Sequence, residues 1–342
     1  MRPTSLREYP VEKILIIGLS SLGDNLLISG AVKLIRDTYK KARMEIVVGR
    51  RSIEFARDNP WFSGYFIFDK VQGVFPLIRR LRAKRYDLIV DFRNSLIPFF
   101  LRGKYKLMFF REEMLSDKFY THESERTLGF LEPYFGRPAK AGLVFPVNNA
   151  DRARVDAMMR DLGIRKSDPL VVLNPGASFP PKRWPKERFA EVGATLAKEY
   201  RAKIVVIGGQ TEKHLAADVG RMIGPVAYDC SGKTTVGELS ALLERAHLLV
   251  TNDTGPMHLA SAVECPVVAI FGPGNPYRYG PIGTKAGVVH DNMECFPCRL
   301  EGRCRKGFVC LNNVTVEDVL KAARLLLDEE EGEVSLFDLD LE

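Results

Sequence analysis

LLVTNDTGPMHLASAVECPVVAIFG, residues 248–272, reads as strand, polar turn, helix and second strand in one unbroken run. Leu248 to Val250 is a short apolar, β-favouring segment, and Asn252 to Thr254 supplies side chains suited to capping a helix. Gly255 lets a ligand approach the backbone, and Pro256 fits the first helical turn. Amides exposed at such a helix start favour phosphate. The same residues also read as an ordinary capped helix of an α/β sheet, so the choice falls to other segments.

Working outward, the same alternation recurs along the chain. KILIIG (13–18) leads into SSLGDNLLISGAVKLIRDTYKK, where Leu26, Leu27, Ala31, Leu34 and Ile35 repeat at helical spacing. Further strands are expected at 45–49, 65–69 and 87–92, with helices at 52–57 and 74–83 between them. Residues 103–135 are aromatic and basic without clean periodicity and read as a substrate-facing excursion. After a restart near 139–146 and a connecting helix at 151–162, strands are expected at 170–174, 203–208, 226–228, 248–250 and 266–271. Helices fall at 186–199, 212–223, 235–246 and 256–263, and a last one at 315–327 opens on a capping box of Thr315 and Asp318. Alternation of this kind predicts doubly wound parallel sheets. The 342 residues suffice for two of them: a domain over 1–145, a second over 146–330, and a frayed acidic tail over 331–342. Tandem domains of this class are expected to place a ligand cleft at the carboxyl ends of the strands.

Charge is distributed unevenly. Residues 1–150 hold 26 Lys and Arg against 16 Asp and Glu, whereas the whole chain has a net charge of only +7. The basic half therefore predicts an anionic partner. IRRLRAKRY (78–86) and FFLRGKYKLMFFR (99–111) mix cations with aromatics, which suits an anionic membrane surface or a phosphorylated lipid and equally a solvated face beside a core strand. No zinc finger, basic zipper or RNA-binding aromatic signature points to nucleic acid. The short apolar run 14–17 is no secretory signal, so the chain is expected in the cytosol. Cys230 and Cys265 read as buried packing residues. Cys295, Cys298, Cys304 and Cys310 cluster; the first pair has thiolate-site spacing, but the later gaps match no zinc ribbon, leaving a structural zinc, reduced thiols or a labile disulfide as alternatives.

Chemistry concentrates at the strand ends. LNPGAS (173–178) ends one strand and KRWP (182–185) opens the next helix; Lys182 and Arg183 read as cations for a diphosphate leaving group, or as surface charge beside a Trp184 core plug. Glu212, after IGGQT, is placed to accept from a ribose diol or to stabilise its helix. Gly232 and Lys233 sit in CSGKTT (230–235), which lacks the first glycine of a phosphate loop and is expected to border a base or ribose. His258 is positioned to donate to a diphosphate or to satisfy a carbonyl. In the first half, SSLGD (20–24) lacks three spaced glycines, which argues against a nicotinamide cofactor; Asp24 is either a general base for an acceptor hydroxyl or a helix cap.

Taken together, ILIIGLSSLGDNLLISGAVKLIR, LNPGASFPPKRWPKERFAEV, IGGQTEKHLA and SGKTTVGELSALLERAHLLVTNDTGPMHLASAVECPVVAIFGP resemble glycosyltransferase family 9, the lipopolysaccharide heptosyltransferases, over nearly the whole length. The resemblance implies the GT-B architecture: two facing Rossmann-like domains with a central cleft, the acceptor on the first, the sugar nucleotide on the second, and a C-terminal helix returning to the first. It implies inverting transfer of heptose from ADP-L-glycero-D-manno-heptose to a Kdo or heptose acceptor on a lipid, at the inner face of the inner membrane. It assigns Asp24 as base, Lys182 to the diphosphate, Glu212 to the ribose, Ser178 to the phosphates, and Asp253, Thr254, Gly255, Pro256, Met257 and His258 to the donor loop. No metal or other cofactor is required by this reading. Two rivals are the same scaffold with another sugar nucleotide and acceptor, and a non-catalytic sugar-nucleotide or glycan binding protein.

Overall fold

A computed structural model of the chain describes residues 6–57, 59–69, 71, 73–109, 121–137, 142–283, 285–291, 293–295, 304, 306–328 and 334–336. The chain divides into two compact units, Met1–Pro146 and Val147–Glu342.

The first unit is built on β1 (Lys13–Ile17), β2 (Arg43–Gly49), β3 (Gly64–Phe68), β4 (Tyr86–Asp91) and β5 (Gly103–Met108), hydrogen-bonded in the order β3-β2-β1-β4-β5. All pairings are parallel. Ile14 to Ile17 of the central strand are fully buried, as expected of a parallel strand covered on both faces. Winding proceeds outward from β1 through β2 to β3, then restarts beside β1 at β4. Between the carboxyl ends of β1 and β4 the order reverses, and open α/β folds bind ligands at that kind of crevice.

The second unit holds β6 (Leu170–Asn174), β7 (Lys203–Val206), β8 (Ala227–Asp229), β9 (Leu248–Asn252), β10 (Val267–Ile270), β11 (Lys285–Val289) and β12 (Val334–Leu336), in the order β12-β11-β10-β9-β6-β7-β8. These strands are also all parallel. Here the reversal falls between β6 and β9. The opening stretch 248–272 thus begins on one of the two strands that flank it, expected at 248–250 and observed as Leu248–Asn252.

Two expectations are corrected. Residues 103–135 are not an excursion: 103–108 form β5, and Glu123–Phe135 is a helix packed on the helix Ser29–Thr38, with 110–120 outside the described residues. That helix hid its periodicity because it buries polar residues, Glu123 and Arg126 pairing at 2.8 Å beside Leu128, Leu131 and Phe135. The tail is not wholly frayed, since Val334–Leu336 extends the sheet parallel to Lys285–Gly287. The helix Val316–Asp328 makes this possible by carrying the chain back after β11. Its Val319, Leu320, Ala322, Ala323 and Leu326 lie in the core of the second unit, and its start has the expected box, Thr315 N donating to Asp318 at 2.8 Å and Asp318 N to Thr315 Oγ1 at 3.2 Å. No helix among the described residues is long and apolar enough to cross a membrane.

Candidate active site

In the second unit the loops after β6 and β9 are stitched together by two buried asparagines. Asn174 Nδ2 donates to Thr251 Oγ1 and Thr254 Oγ1, both at 2.9 Å. Asn252 accepts from Trp184 N at 3.0 Å and donates to the carbonyls of Pro175 (2.9 Å) and Gly176 (3.3 Å). Trp184 is itself locked: its indole N–H donates to Val314 O at 3.0 Å, and its ring meets Phe189 edge-on. The core-plug reading of Trp184 is therefore right, and it is also what anchors the turn Pro180–Lys182. From that turn Lys182 Nζ donates to the Asp253 carboxylate. Asp253 is 7% exposed and Lys182 30%, so the pair is held from inside while the ammonium stays reachable. The helix Gly255–Ala262 starts immediately after, with Thr254 at its cap and Pro256 in its first turn.

The remaining donor-side residues divide. Glu212 accepts from Gly209 N at 3.0 Å and lies 3.7 Å from the Arg183 guanidinium, while Arg183 Nε donates to Ala177 O at 2.8 Å. A Cβ at Gly176 would lie 2.6 Å from the Glu212 carboxyl carbon, so a side chain there would push the carboxylate aside. Glu212 thus accepts from the backbone at the start of its own turn, in a position linked through Arg183 to the Lys182 turn. Gly232, at φ +64°, is tied to Gly208 O through its N–H at 2.8 Å, and its carbonyl accepts from Gln210 Nε2 at 3.0 Å. Lys233 Nζ is taken up by Asp229 O at 2.5 Å. Ser178 is exposed in the loop after β6. Met257 and His258 have buried side chains, so Met257 serves the loop as a packing residue.

In the first unit, Ser21 caps the helix Leu22–Leu27 through a 3.2 Å bond from Asp24 N, leaving the Asp24 carboxylate exposed rather than engaged as the cap. Asn25 fixes the turn from beneath, accepting from Leu19 N at 2.9 Å and donating to Leu19 O and Ser21 O. One residue that sequence reasoning missed stands beside it. After β4, buried Asp91 accepts from Arg93 N, Ser95 N and Ser95 Oγ, each at 2.8 Å, and Asn94 takes a left-handed conformation at φ +56°. This turn sends Arg93 back over β1, where Nε donates to Gly18 O at 3.0 Å and Nη1 to Ser20 Oγ at 2.9 Å. The guanidinium lies 4.6 Å from the Phe68 ring centre. Its Nη2 is buried without a hydrogen-bond partner among the described residues. Burial pulls Arg93 below its ordinary value, opposed by the charges of Asp91 and then Asp24. Burial likewise pushes the Asp91 carboxyl up, against its hydrogen bonds from Ser95 and Arg93. No spacing in the sequence joins Arg93 to Asp24; only the β1–β4 adjacency does.

The cysteine expectations resolve unevenly. Cys230 and Cys265 are buried, and burial raises both thiols, that of Cys265 to about 12. Cys298 lies outside the described residues. Cys304 Sγ accepts from the backbone of Lys306 (3.3 Å) and Phe308 (3.4 Å), and Cys295 is exposed. Among the described residues no three His, Cys, Asp or Glu group into a metal site, so a structural zinc finds no support there.

Known proteins resemble this chain in sequence and in fold. A family model described as glycosyltransferase family 9 (heptosyltransferase) matches residues 74–307. Lipopolysaccharide heptosyltransferase 2 of Salmonella typhimurium is 27% identical, over 93% of this chain and 99% of its own length. Among solved structures, a family 9 glycosyltransferase from Veillonella parvula aligns with a TM-score of 0.76 at 25% identity, covering 92% of this chain and 97% of its own. The E. coli ADP-heptose lipopolysaccharide heptosyltransferase II aligns at 0.75 and 23%, covering 94% and 100%. The two parallel-sheet, Rossmann-like units are those of the GT-B fold, and the chain belongs to glycosyltransferase family 9 and is a glycosyltransferase.

Proposed function

We propose that the protein transfers heptose from ADP-L-glycero-D-manno-heptose to the Kdo or heptose residue of a lipid-linked lipopolysaccharide inner core, with inversion, at the cytoplasmic face of the inner membrane. The observation that carries this reading is the Lys182–Asp253 ion pair at the start of the helix Gly255–Ala262, held by Asn174 and Asn252 at the reversal point of the second sheet. A cation fixed beside a helix N-terminus suits a diphosphate, and Glu212 at the neighbouring strand end suits the ribose. The names of the relatives supply the donor and acceptor classes.

The chemistry is a single displacement. Asp24 takes the proton of the acceptor hydroxyl as that oxygen bonds to the anomeric carbon. The bond from that carbon to the β-phosphate oxygen breaks, and its electron pair departs on ADP. Lys182, Arg183 and the helix amides stabilise the charge so developed. Arg93 braces the Asp24 turn through Gly18 and Ser20. With two protein cations at the leaving group, transfer is expected to persist in EDTA.

Incubation with ADP-heptose and Kdo-lipid A tests the reading. Release of ADP with a heptose mass added to the acceptor is expected. Absence of both transfer and ADP binding overturns it, and a panel of other sugar nucleotides separates a different donor from no donor at all.

A further inference from the structure

One surface of the first unit is left unexplained by transfer chemistry. The helix Phe75–Arg82 turns Leu77, Ile78 and Leu81 inward to pack with Ile97 and Leu101 of the segment after β4. Outward, the same two segments show bare apolar side chains: Phe75 is 78% exposed, Leu96 71%, Phe99 64% and Phe100 50%. Monomeric surfaces scatter single apolar residues, whereas a group of large ones marks an interaction site. Phe75, Arg79 and Arg82 recur at i, i+4 and i+7, so aromatic and cations share one face of the helix.

The cations around this patch are unbalanced. Arg85, Arg102, Lys104 and Lys106 line a shallow pocket at the starts of β4 and β5, with no carboxylate in its wall. Arg102 follows Phe100 by two residues, so the pocket adjoins the aromatic segment. Among the described residues no carboxylate pairs with Arg79, Arg82, Arg85, Arg102 or Lys104, although Lys84 on the same stretch is held by Glu45 at 2.5 Å. A self-complementary contact between two copies would bring these like charges together, which disfavours a second chain as occupant. A planar anionic surface pairs with all of them at once.

We propose that the outer face of the helix Phe75–Arg82 and the segment Leu96–Arg102 docks on an anionic phospholipid bilayer, with Phe75, Leu96, Phe99 and Phe100 entering the acyl boundary and the basic pocket taking lipid phosphates. The inference rests on the reading that the acceptor is lipid-linked, and it names the residues that meet the bilayer. Phe75, at the helix start, and Leu96, just beyond β4, stand at the carboxyl edge of the sheet that also carries Asp24 and Arg93. The basic pocket lies at the opposite, amino edge, so docking lays the whole flank covered by these two segments along the membrane.

Co-sedimentation of the full chain with phosphatidylcholine vesicles, with and without phosphatidylglycerol, tests this in the absence of any substrate. Binding is expected only with phosphatidylglycerol, weakened by high salt. Phe99→Ser with Phe100→Ser should lower it at least tenfold, and each of Arg79→Gln and Arg82→Gln about fivefold. All four side chains are exposed, so unchanged thermal melting is the control, and transfer to a deacylated, water-soluble acceptor should stay at the parent rate. Failure of that transfer in the parent protein would count against the enzymatic reading without touching vesicle binding. The docking proposal is overturned if binding ignores phosphatidylglycerol, if the variants bind as the parent does, or if the patch instead holds a dimer that the same variants disperse.

Discussion

The two reversal points of this molecule are built to opposite specifications. Between β6 and β9 the side chains that stitch the loops are matched: Asn174 to two hydroxyls, Asn252 to three backbone groups and Lys182 to Asp253, with Glu212 after β7 tied to Gly209 and Arg183 and Ser178 left exposed. Between β1 and β4 the supporting turns are equally tied, yet the groups that face outward are not: Asp24 is exposed, and Arg93 keeps a buried N–H unmatched among the described residues. A loop stitched in this way is preformed, suited to holding one ligand in one pose. Unmatched charge costs stability when idle and is the form that proton transfer and acceptor binding require. The contrast fits the proposed division, with nucleotide binding in the second unit and proton chemistry in the first.

Substitutions on each side sharpen that contrast, beginning with the largest effect. Lys182→Ala should lower kcat by about 100- to 1,000-fold and weaken ADP binding, because it removes a donor aimed at charge that develops on the leaving group. Steady-state kinetics beside calorimetry with ADP checks both. Arg93→Gln should lower kcat by about 10- to 100-fold through a misplaced Asp24 turn, with ADP affinity unchanged, and Arg93→Lys should recover only part of the loss because one ammonium cannot span Gly18 and Ser20. If ADP affinity falls with Arg93, the division of labour is wrong.

Stability should divide the same way. Asn252→Ala leaves Trp184 N and two carbonyls without their partner and should cost about 2 kcal/mol or more in a denaturant melt. Asp24→Ala, at an exposed position, should stay within about 0.5 kcal/mol of the parent. The smallest effect separates the thiols. With the Cys265 thiol raised to about 12, only about one molecule in ten thousand carries its thiolate at pH 8, so an aromatic disulfide reagent should label exposed Cys295 and reach Cys265 only after unfolding.

Legibility in the sequence followed the same divide. Lys182, Asp253 and the helix start at Gly255 could be read because each sits within a few residues of a strand end, and a strand–turn–helix pattern fixes where such residues point. Arg93 could not, since its role depends on β4 lying beside β1, on Asn94 adopting a left-handed backbone and on hydrogen bonds to residues more than seventy positions away. The helix Glu123–Phe135 escaped for a different reason. It buries an ion pair, Arg126 with Glu123, where a periodicity argument looks for apolar side chains. Edge strand β12 has three residues, too few to announce a period.

The measurement that bears most directly on the central claim is a paired determination of turnover and ADP affinity for Asp24→Asn. Proton removal assigned to the first unit requires kcat to fall by about 100-fold or more, while ADP binds as tightly as to the parent. Turnover near the parent value, or a loss of ADP affinity in step with it, would contradict the account.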